Sequence, residues 1–501
     1  MPDIGASRPI RFVLDGRPVA IEGESPAMTL LEWLRLRQRE TGTKEGCAEG
    51  DCGACTVVLA HREADGQVRV EPCNACIRPL ASVDGCGVIT VAGLGGAHPV
   101  QEAMVDGHGA QCGFCTPGFV TAMAARLAQG PVADRASACV ALAGNLCRCT
   151  GYRPIVDALC QASEVLYAQG ATPLAGLPAW VAALPPPDPQ ALAFEAQGAQ
   201  WFSPQRMEDI DALLAETPDA WLLAGGTDIG LWVTKQLRTP ARWIYLGAVP
   251  ELARIETTPE GITLGAAVSL TEGYKAWCAE YPELEPYVER FASPAIRASG
   301  TLVGNLANGS PIGDTAPVAI ALGATVMLRR AGPDGRPQRR SLPLEDLYLD
   351  YRVQRREPGE WIESVWLPRR RPAQQCHAAK LSKRFEQDIS AVSLGLSFDA
   401  GEHLSQVRIA LGGMAGTVRR ARAAEALLEG ARPTQAVFEA AGRALSEDFT
   451  PMDDLRASRA YRLAAAAGLL QRFWAAQWGD RTQPTDLHRL TPVRPPAVGA
   501  R

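Results

Sequence analysis

The chain has 501 residues, 14 cysteines and a formal net charge of −5. That balance leaves no basic footprint for nucleic acid, and no apolar run approaches the ~20 residues of a membrane span. The opening Met-Pro-Asp-Ile-Gly-Ala-Ser-Arg-Pro has no apolar signal core, so a cytoplasmic setting is expected, with thiols free for metal rather than a disulfide framework. At roughly 150 residues per domain, the length predicts about three or four domains.

Residues 10–22 predict two short strands around the Asp15-Gly16 turn. Thr29-x-x-Glu32 is a capping box ahead of an apolar helix. Then comes Cys47-x4-Cys52-x2-Cys55, the plant-type spacing for a [2Fe-2S] cluster. Gly46, Gly50 and Gly53 let the loop turn sharply with its amides toward the sulfurs. The fourth ligand must come from a distant segment. Cys73 and Cys76 are both available, and spacing alone does not choose between them.

A second set, Cys112-x2-Cys115 with Cys147-x-Cys149, lies in a stretch of helical periodicity from about 100 to 167. Helices are predicted over 118–127 and 135–143. Each has a cysteine pair at one end, so the second set is expected where two helix termini meet. Structural zinc is the alternative. Zinc usually takes thiolates from two C-x2-4-C knuckles, and the one-residue gap of Cys147-x-Cys149 suits adjacent positions on a diamond-shaped cluster better. Taken alone, the second set is ambiguous. Two clusters in one chain imply single-electron transfer. Cys73, Cys86, Cys139, Cys160, Cys278 and Cys376 have no assigned role beyond that of small buried side chains.

Residues 169–192 are Pro-rich and read as a semi-rigid connector. Beyond them, strands at 221–224, 243–246 and 261–264 alternate with a helix at 206–217. Trp221–Gly230 runs a strand into Gly225-Gly226-Thr227, whose bare amides could cradle a pyrophosphate. It is not G-x-G-x-x-G, so it gives no support to a Rossmann site. A second glycine-rich run, Ser299–Asp314, is long for a loop without a function. Together the two runs predict a two-part cofactor cradle. Gln483–Arg501 is Pro-rich and reads as a loose tail.

Cys47–Cys55, Asn74-Ala-Cys76, Gln111-Cys-Gly-Phe-Cys-Thr-Pro-Gly118 and Leu146-Cys-Arg-Cys-Thr-Gly-Tyr-Arg-Pro154 resemble the iron–sulfur half of the xanthine dehydrogenase family of molybdenum hydroxylases. Ala224–Gly230, Gly304-Asn305 with Pro311–Asp314, Lys380–Ser390 and Gly412-Gly-Met414 resemble its FAD part. The match runs along nearly the whole chain, in the manner of the family's small bacterial subunit. It implies a multidomain α+β fold. A plant-type ferredoxin (β-grasp) domain would occupy 1–92 and an α-helical [2Fe-2S] domain 93–168, followed by the linker at 169–192. A FAD-binding α+β domain of the vanillyl-alcohol-oxidase-like type would span 193–372, a C-terminal α+β domain 373–480 and a tail 481–501.

The resemblance also implies roles. Cys47, Cys52, Cys55 and Cys76 would hold the plant-type cluster, and Cys112, Cys115, Cys147 and Cys149 the other. Gln111 would stand near the partner's molybdopterin. Leu222, Leu223, Ala224, Gly225, Gly226, Thr227, Asp228 and Ile229 would wrap the FAD pyrophosphate, and Phe291 would lie beside the isoalloxazine. Thr301, Leu302, Val303, Gly304, Asn305 and Asp314 would contact phosphate and ribose, with Ile362 and Lys380 as further contacts. Tyr351, Arg352, Arg384 and Asp388 would lie on the side where NAD approaches. The family's molybdopterin domain would belong to a separate partner subunit, in an (αβ)2 heterotetramer. That partner would oxidise xanthine or hypoxanthine to urate, with electrons ending on NAD. Other readings are another molybdenum hydroxylase, oxygen as acceptor, a stand-alone NADH-acceptor reductase, and a zinc scaffold.

Overall fold

The computed structural model describes residues 7–479 apart from 64, 169, 171 and 172. The expected tail at 481–501 lies outside the described residues. Among those described, no helix is long and apolar enough to cross a membrane.

The first five strands form one sheet. Ile10–Leu14 pairs antiparallel with Arg17–Ile21 around the predicted turn, and parallel with Gly87–Ile89. Thr56–Arg62 and Val68–Asn74 complete the sheet, with Val68–Asn74 at one edge. The capping box forms as the sequence predicts: Glu32 N–H donates to Thr29 Oγ1 at 3.1 Å, and Thr29 N–H donates to Glu32 Oε2 at 3.0 Å. The cluster loop of residues 46–55 leads into Thr56–Arg62. This is the β-grasp arrangement.

Four helices follow: Pro99–Asp106, Thr116–Leu127, Arg135–Leu142 and Arg153–Tyr167. The second and third match the predicted helices. Cys112 and Cys115 precede the helix Thr116–Leu127. Cys147 and Cys149 lie between the ends of the third and fourth helices.

The linker does more than connect. Val181 and Leu184 are buried in the helical core, and Trp180 lies against Gly16 and Gly87 of the first sheet. Proline content marks a stiff segment; the apolar residues between the prolines dock it.

Leu192–Ala196, Ala199–Ser203, Arg242–Tyr245 and Trp221–Leu223 form a four-stranded sheet with two parallel pairings. A five-stranded antiparallel sheet follows, from Ile255–Thr257 to Trp361–Pro368. The last unit is an antiparallel sheet, Gln374–Leu381 to Arg419–Arg420, packed against helices Arg422–Leu428, Gln435–Asp448 and Arg459–Trp478.

One core is shared across domains. Trp201 and Trp243, both fully buried, join the apolar core of the ferredoxin sheet. Burying a large apolar side chain is worth roughly 1.5–3 kcal/mol, so this seam fixes the first cluster loop against the glycine-rich turn.

Candidate functional site

The four cysteines expected to hold the plant-type cluster converge. Side-chain hydrogen bonds link Cys47 to Cys52 and Cys76, and Cys55 to Cys76. Backbone N–H groups of Glu49, Asp51 and Cys52 donate to Cys47 Sγ at 3.4, 3.3 and 3.3 Å. The Cys52 and Cys76 thiols, together with the Cys52 and Glu49 amides, hold the Cys47 thiol far below its ordinary range. Cys73, by contrast, is locked in the edge strand opposite Val57 and turns its sulfur to Ser299 Oγ at 3.8 Å. Cys76, rather than Cys73, therefore sits with the other three expected ligands.

The second set pairs crosswise, Cys112 with Cys149 and Cys115 with Cys147. Thr150 Oγ1 lies 3.2 Å from Cys147 Sγ, and the Cys147 amide donates to Tyr152 Oη at 3.1 Å. Cys112 and Cys149 are exposed, whereas Cys55 and Cys76 are buried. Gln111 is exposed beside Cys112. Phe114, Leu146 and Tyr152 add exposed apolar surface around the same mouth.

Among the described residues, no group of His, Cys, Asp or Glu side chains is arranged to hold a single metal ion. A [2Fe-2S] cluster takes four cysteine thiolates, and each set gathers four cysteines in two neighbouring pairs. The residues present fit two [2Fe-2S] clusters.

The two ligand loops touch. Leu146 N–H donates to the Cys52 carbonyl at 3.0 Å, and Asn145 Nδ2 donates to the Gly53 carbonyl at 3.0 Å. Gly53 has φ +68°, and a Cβ there would fall 2.3 Å from the Gly144 carbonyl. A Cβ on Gly118 would fall 2.1 Å from the Gly53 carbonyl. Only glycine permits this approach.

On the other side of the first loop lies a cavity of about 490 Å³. Its walls include Leu222, Ala224–Ile229, Phe291, Thr301, Val303, Gly304, Asn305 and Ile362, drawn from both glycine-rich runs and a distant strand. A Cβ on Gly225 would sit 2.1 Å from the Ser299 carbonyl, so the two runs can meet only without one. Thr301 caps the helix Leu302–Asn308, accepting from the Gly304 amide at 3.0 Å. A cavity of this size, walled by the Gly225-Gly226 turn and by the start of the helix Leu302–Asn308, fits a dinucleotide such as FAD.

Four expected contacts do not line the cavity walls. Leu223 and Leu302 are buried in the core. Asp314 and Lys380 form a buried ion pair at 2.6 Å, completed by Ser390 Oγ donating to Asp314 Oδ1 at 2.5 Å. The Lys380 ammonium lies 6.0 Å from the Phe291 ring centroid, so the pair backs the wall that Phe291 presents. Tyr351, Arg352, Arg384 and Asp388 also lie outside the cavity lining. Tyr351 is exposed, with the Arg352 guanidinium 5.2 Å over its ring. Arg384 pairs with Asp388 at 3.4 Å, and both sit within electrostatic reach of Asp51 in the first cluster loop.

Glu49, Trp232 and Asn308 line the cavity and were not singled out from the sequence. Asn308 Nδ2 donates to Asp228 Oδ1 at 2.9 Å, tying the two glycine runs together. Asn308 could have been noticed inside the second run. Nothing in the sequence marks Glu49 or Trp232.

Comparison with known proteins agrees in chain order. Residues 12–80 match the 2Fe-2S iron-sulfur cluster binding domain, and 90–160 match the [2Fe-2S] binding domain. Residues 193–370 match the FAD binding domain in molybdopterin dehydrogenase, and 377–477 the CO dehydrogenase flavoprotein C-terminal domain. The chain belongs to the molybdenum hydroxylase family, as its iron–sulfur and FAD part.

Among relatives of this molybdenum hydroxylase chain, xanthine dehydrogenase of Emericella nidulans is 32% identical over 93% of this chain and 38% of its own length. Aldehyde oxidase 4 of Cavia porcellus is 29% identical over 83% of this chain and 35% of its own. The chain thus spans little more than a third of these relatives. A carbon monoxide dehydrogenase from Hydrogenophaga pseudoflava, which lacks the Mo-pyranopterin moiety, superposes with TM-score 0.51 at 28% identity, over 54% of this chain and 94% of that one.

Proposed function

We propose that this chain is the electron-transfer subunit of a xanthine dehydrogenase, acting in the cytoplasm with a separate molybdopterin-binding subunit and with NAD as acceptor. In that reading the partner oxidises xanthine or hypoxanthine to urate, in an (αβ)2 assembly. The reading rests on one observation above the others: the exposed cysteine set, the inner set and the flavin cavity abut in that order. The first contact is the Leu146–Cys52 hydrogen bond. The second is Ile77, next to Cys76, whose carbonyl would lie 2.5 Å from a Cβ on Gly230.

When bound, the clusters supply single-electron carriers and the flavin a converter between single electrons and hydride. The protein's part is placement. Cys112 and Cys149 open toward a partner, with Gln111, Phe114, Leu146 and Tyr152 as the apolar and polar rim of a docking face. Glu49 brings the inner loop to the cavity wall. Tyr351, Arg352, Arg384 and Asp388 would meet the acceptor.

Stopped-flow mixing of the assembled complex with xanthine and NAD tests this. NADH formation supports it. Rapid peroxide without NADH would move the acceptor to oxygen. Turnover of carbon monoxide or an aldehyde but not xanthine would favour the second reading, another molybdenum hydroxylase, to which the carbon monoxide dehydrogenase likeness lends weight.

A further inference from the structure

Helix Ile229–Thr234 follows the Gly225-Gly226 turn directly. Ile229 lines the flavin cavity, while the other end of the helix reaches the inner cysteine loop. Thr234 Oγ1 donates to the Ala48 carbonyl at 2.8 Å. The next residue, Lys235, donates through Nζ to the carbonyl of Cys47 itself, and its ammonium lies 3.8 Å from the Glu49 carboxylate. Cys47 is the ligand whose sulfur collects three backbone amides. A cation from the FAD domain is therefore hydrogen-bonded to the residue that carries the thiolate, with an anion close by. The loop's other charges are Asp51 and, facing it from the C-terminal unit, the Arg384–Asp388 pair.

A [2Fe-2S] cluster gains one negative charge on reduction, and its potential responds to neighbouring charge and hydrogen bonds. We propose that Lys235 is a positioning residue that raises the reduction potential of the cluster held by Cys47, Cys52, Cys55 and Cys76, with Glu49 opposing it. This inference rests on the reading of those four cysteines as cluster ligands. Lys235 and Glu49 are 41% and 43% exposed, so screening by water and salt limits the effect. Removing the cation disfavours the reduced state; removing the anion favours it. The two substitutions therefore act with opposite sign, which a purely structural role would not produce.

The test is an EPR redox titration of the full chain carrying both clusters, with iron quantified in every sample. The second cluster in each molecule is the internal reference. In Lys235→Met, at the wild-type midpoint, the reduced-to-oxidised ratio of the inner cluster falls three- to tenfold; tenfold corresponds to about 59 mV for one electron. Lys235→Arg restores it, Glu49→Gln raises it, and the outer cluster does not move. An unshifted inner midpoint in Lys235→Met with full iron overturns the proposal, as does an equal shift of both clusters. If Lys235→Met loses iron, Glu49→Gln decides: an unchanged or lower midpoint overturns it. Wild-type protein with no [2Fe-2S] signal would remove the underlying reading instead.

Discussion

Replacing Lys380 with Met should loosen the flavin without touching the cavity wall. The Lys380 and Asp314 side chains are 2% and 3% exposed, with Nζ 2.6 Å from Oδ2. Nζ also donates to the Arg290 carbonyl at 3.4 Å. Methionine keeps the apolar stem but leaves the Asp314 carboxylate buried, with the Ser390 hydroxyl as its remaining partner from this group. Breaking a buried pair by removing one member costs about 3–5 kcal/mol, because the other charge is stranded. For a unit of 150–250 residues, each kcal/mol shifts the midpoint by about 2–4 °C, giving about 6–20 °C. A multidomain chain has no single two-state transition, so the assay is flavin fluorescence released during a thermal ramp, which reports on the FAD unit. The double variant Asp314→Asn with Lys380→Met removes both charges and should lose less than the two single changes summed. Flavin release within about 2 °C of wild type in Lys380→Met, or additive losses in the double variant, would refute the reasoning.

Three further outcomes follow from the geometry. Cys76→Ser should lower bound iron from about four to about two per chain, whereas Cys73→Ser should leave it unchanged, since Cys73 faces Ser299; iron and sulfide analysis distinguishes them. Gly225→Ala forces a Cβ to 2.1 Å from the Ser299 carbonyl; about 1–3 kcal/mol of overpacking predicts FAD binding weaker by roughly 5- to 160-fold, read by titration of flavin-free protein. Burial pushes His98 down from 6.5 to about 4, and its Nδ1 accepts from the Val100 amide at 3.1 Å. The unfolded chain then binds the extra proton first, so stability is full above 6.5 and is lost as pH falls from 6.5 toward 4. The loss is at most about 3 kcal/mol. Thermal unfolding of His98→Asn, which keeps a capping side chain, should show a flatter acid limb than wild type, and an identical limb would refute the assignment.

The two cysteine sets were legible because cluster ligands within a loop must keep fixed spacing. The choice between Cys73 and Cys76 for the fourth position was not. Cys73 and Cys76 differ in that one lies in the strand ladder and the other beyond its end at Asn74, a distinction set by pairing to Val57 rather than by sequence spacing. The glycine runs announced a cradle because only glycine permits the approach at Gly225. What stayed hidden depends on distant segments meeting. Cys52 and Leu146 come together across separate domains. Trp201 and Trp243 complete a core that begins in the first sheet. Glu49 and Trp232 reach the cavity from elements whose local patterns announce other roles. Prolines mark the linker in the sequence, whereas its docking by Trp180, Val181 and Leu184 depends on the surfaces that receive them.

The central claim is that two separate cluster sites and a flavin share this chain. EPR of the dithionite-reduced protein at several temperatures, with iron and flavin quantified on the same sample, tests it most directly. Two distinct [2Fe-2S] signals with about four irons and one FAD per chain are expected. Bound zinc with no reduced-cluster signal would contradict it.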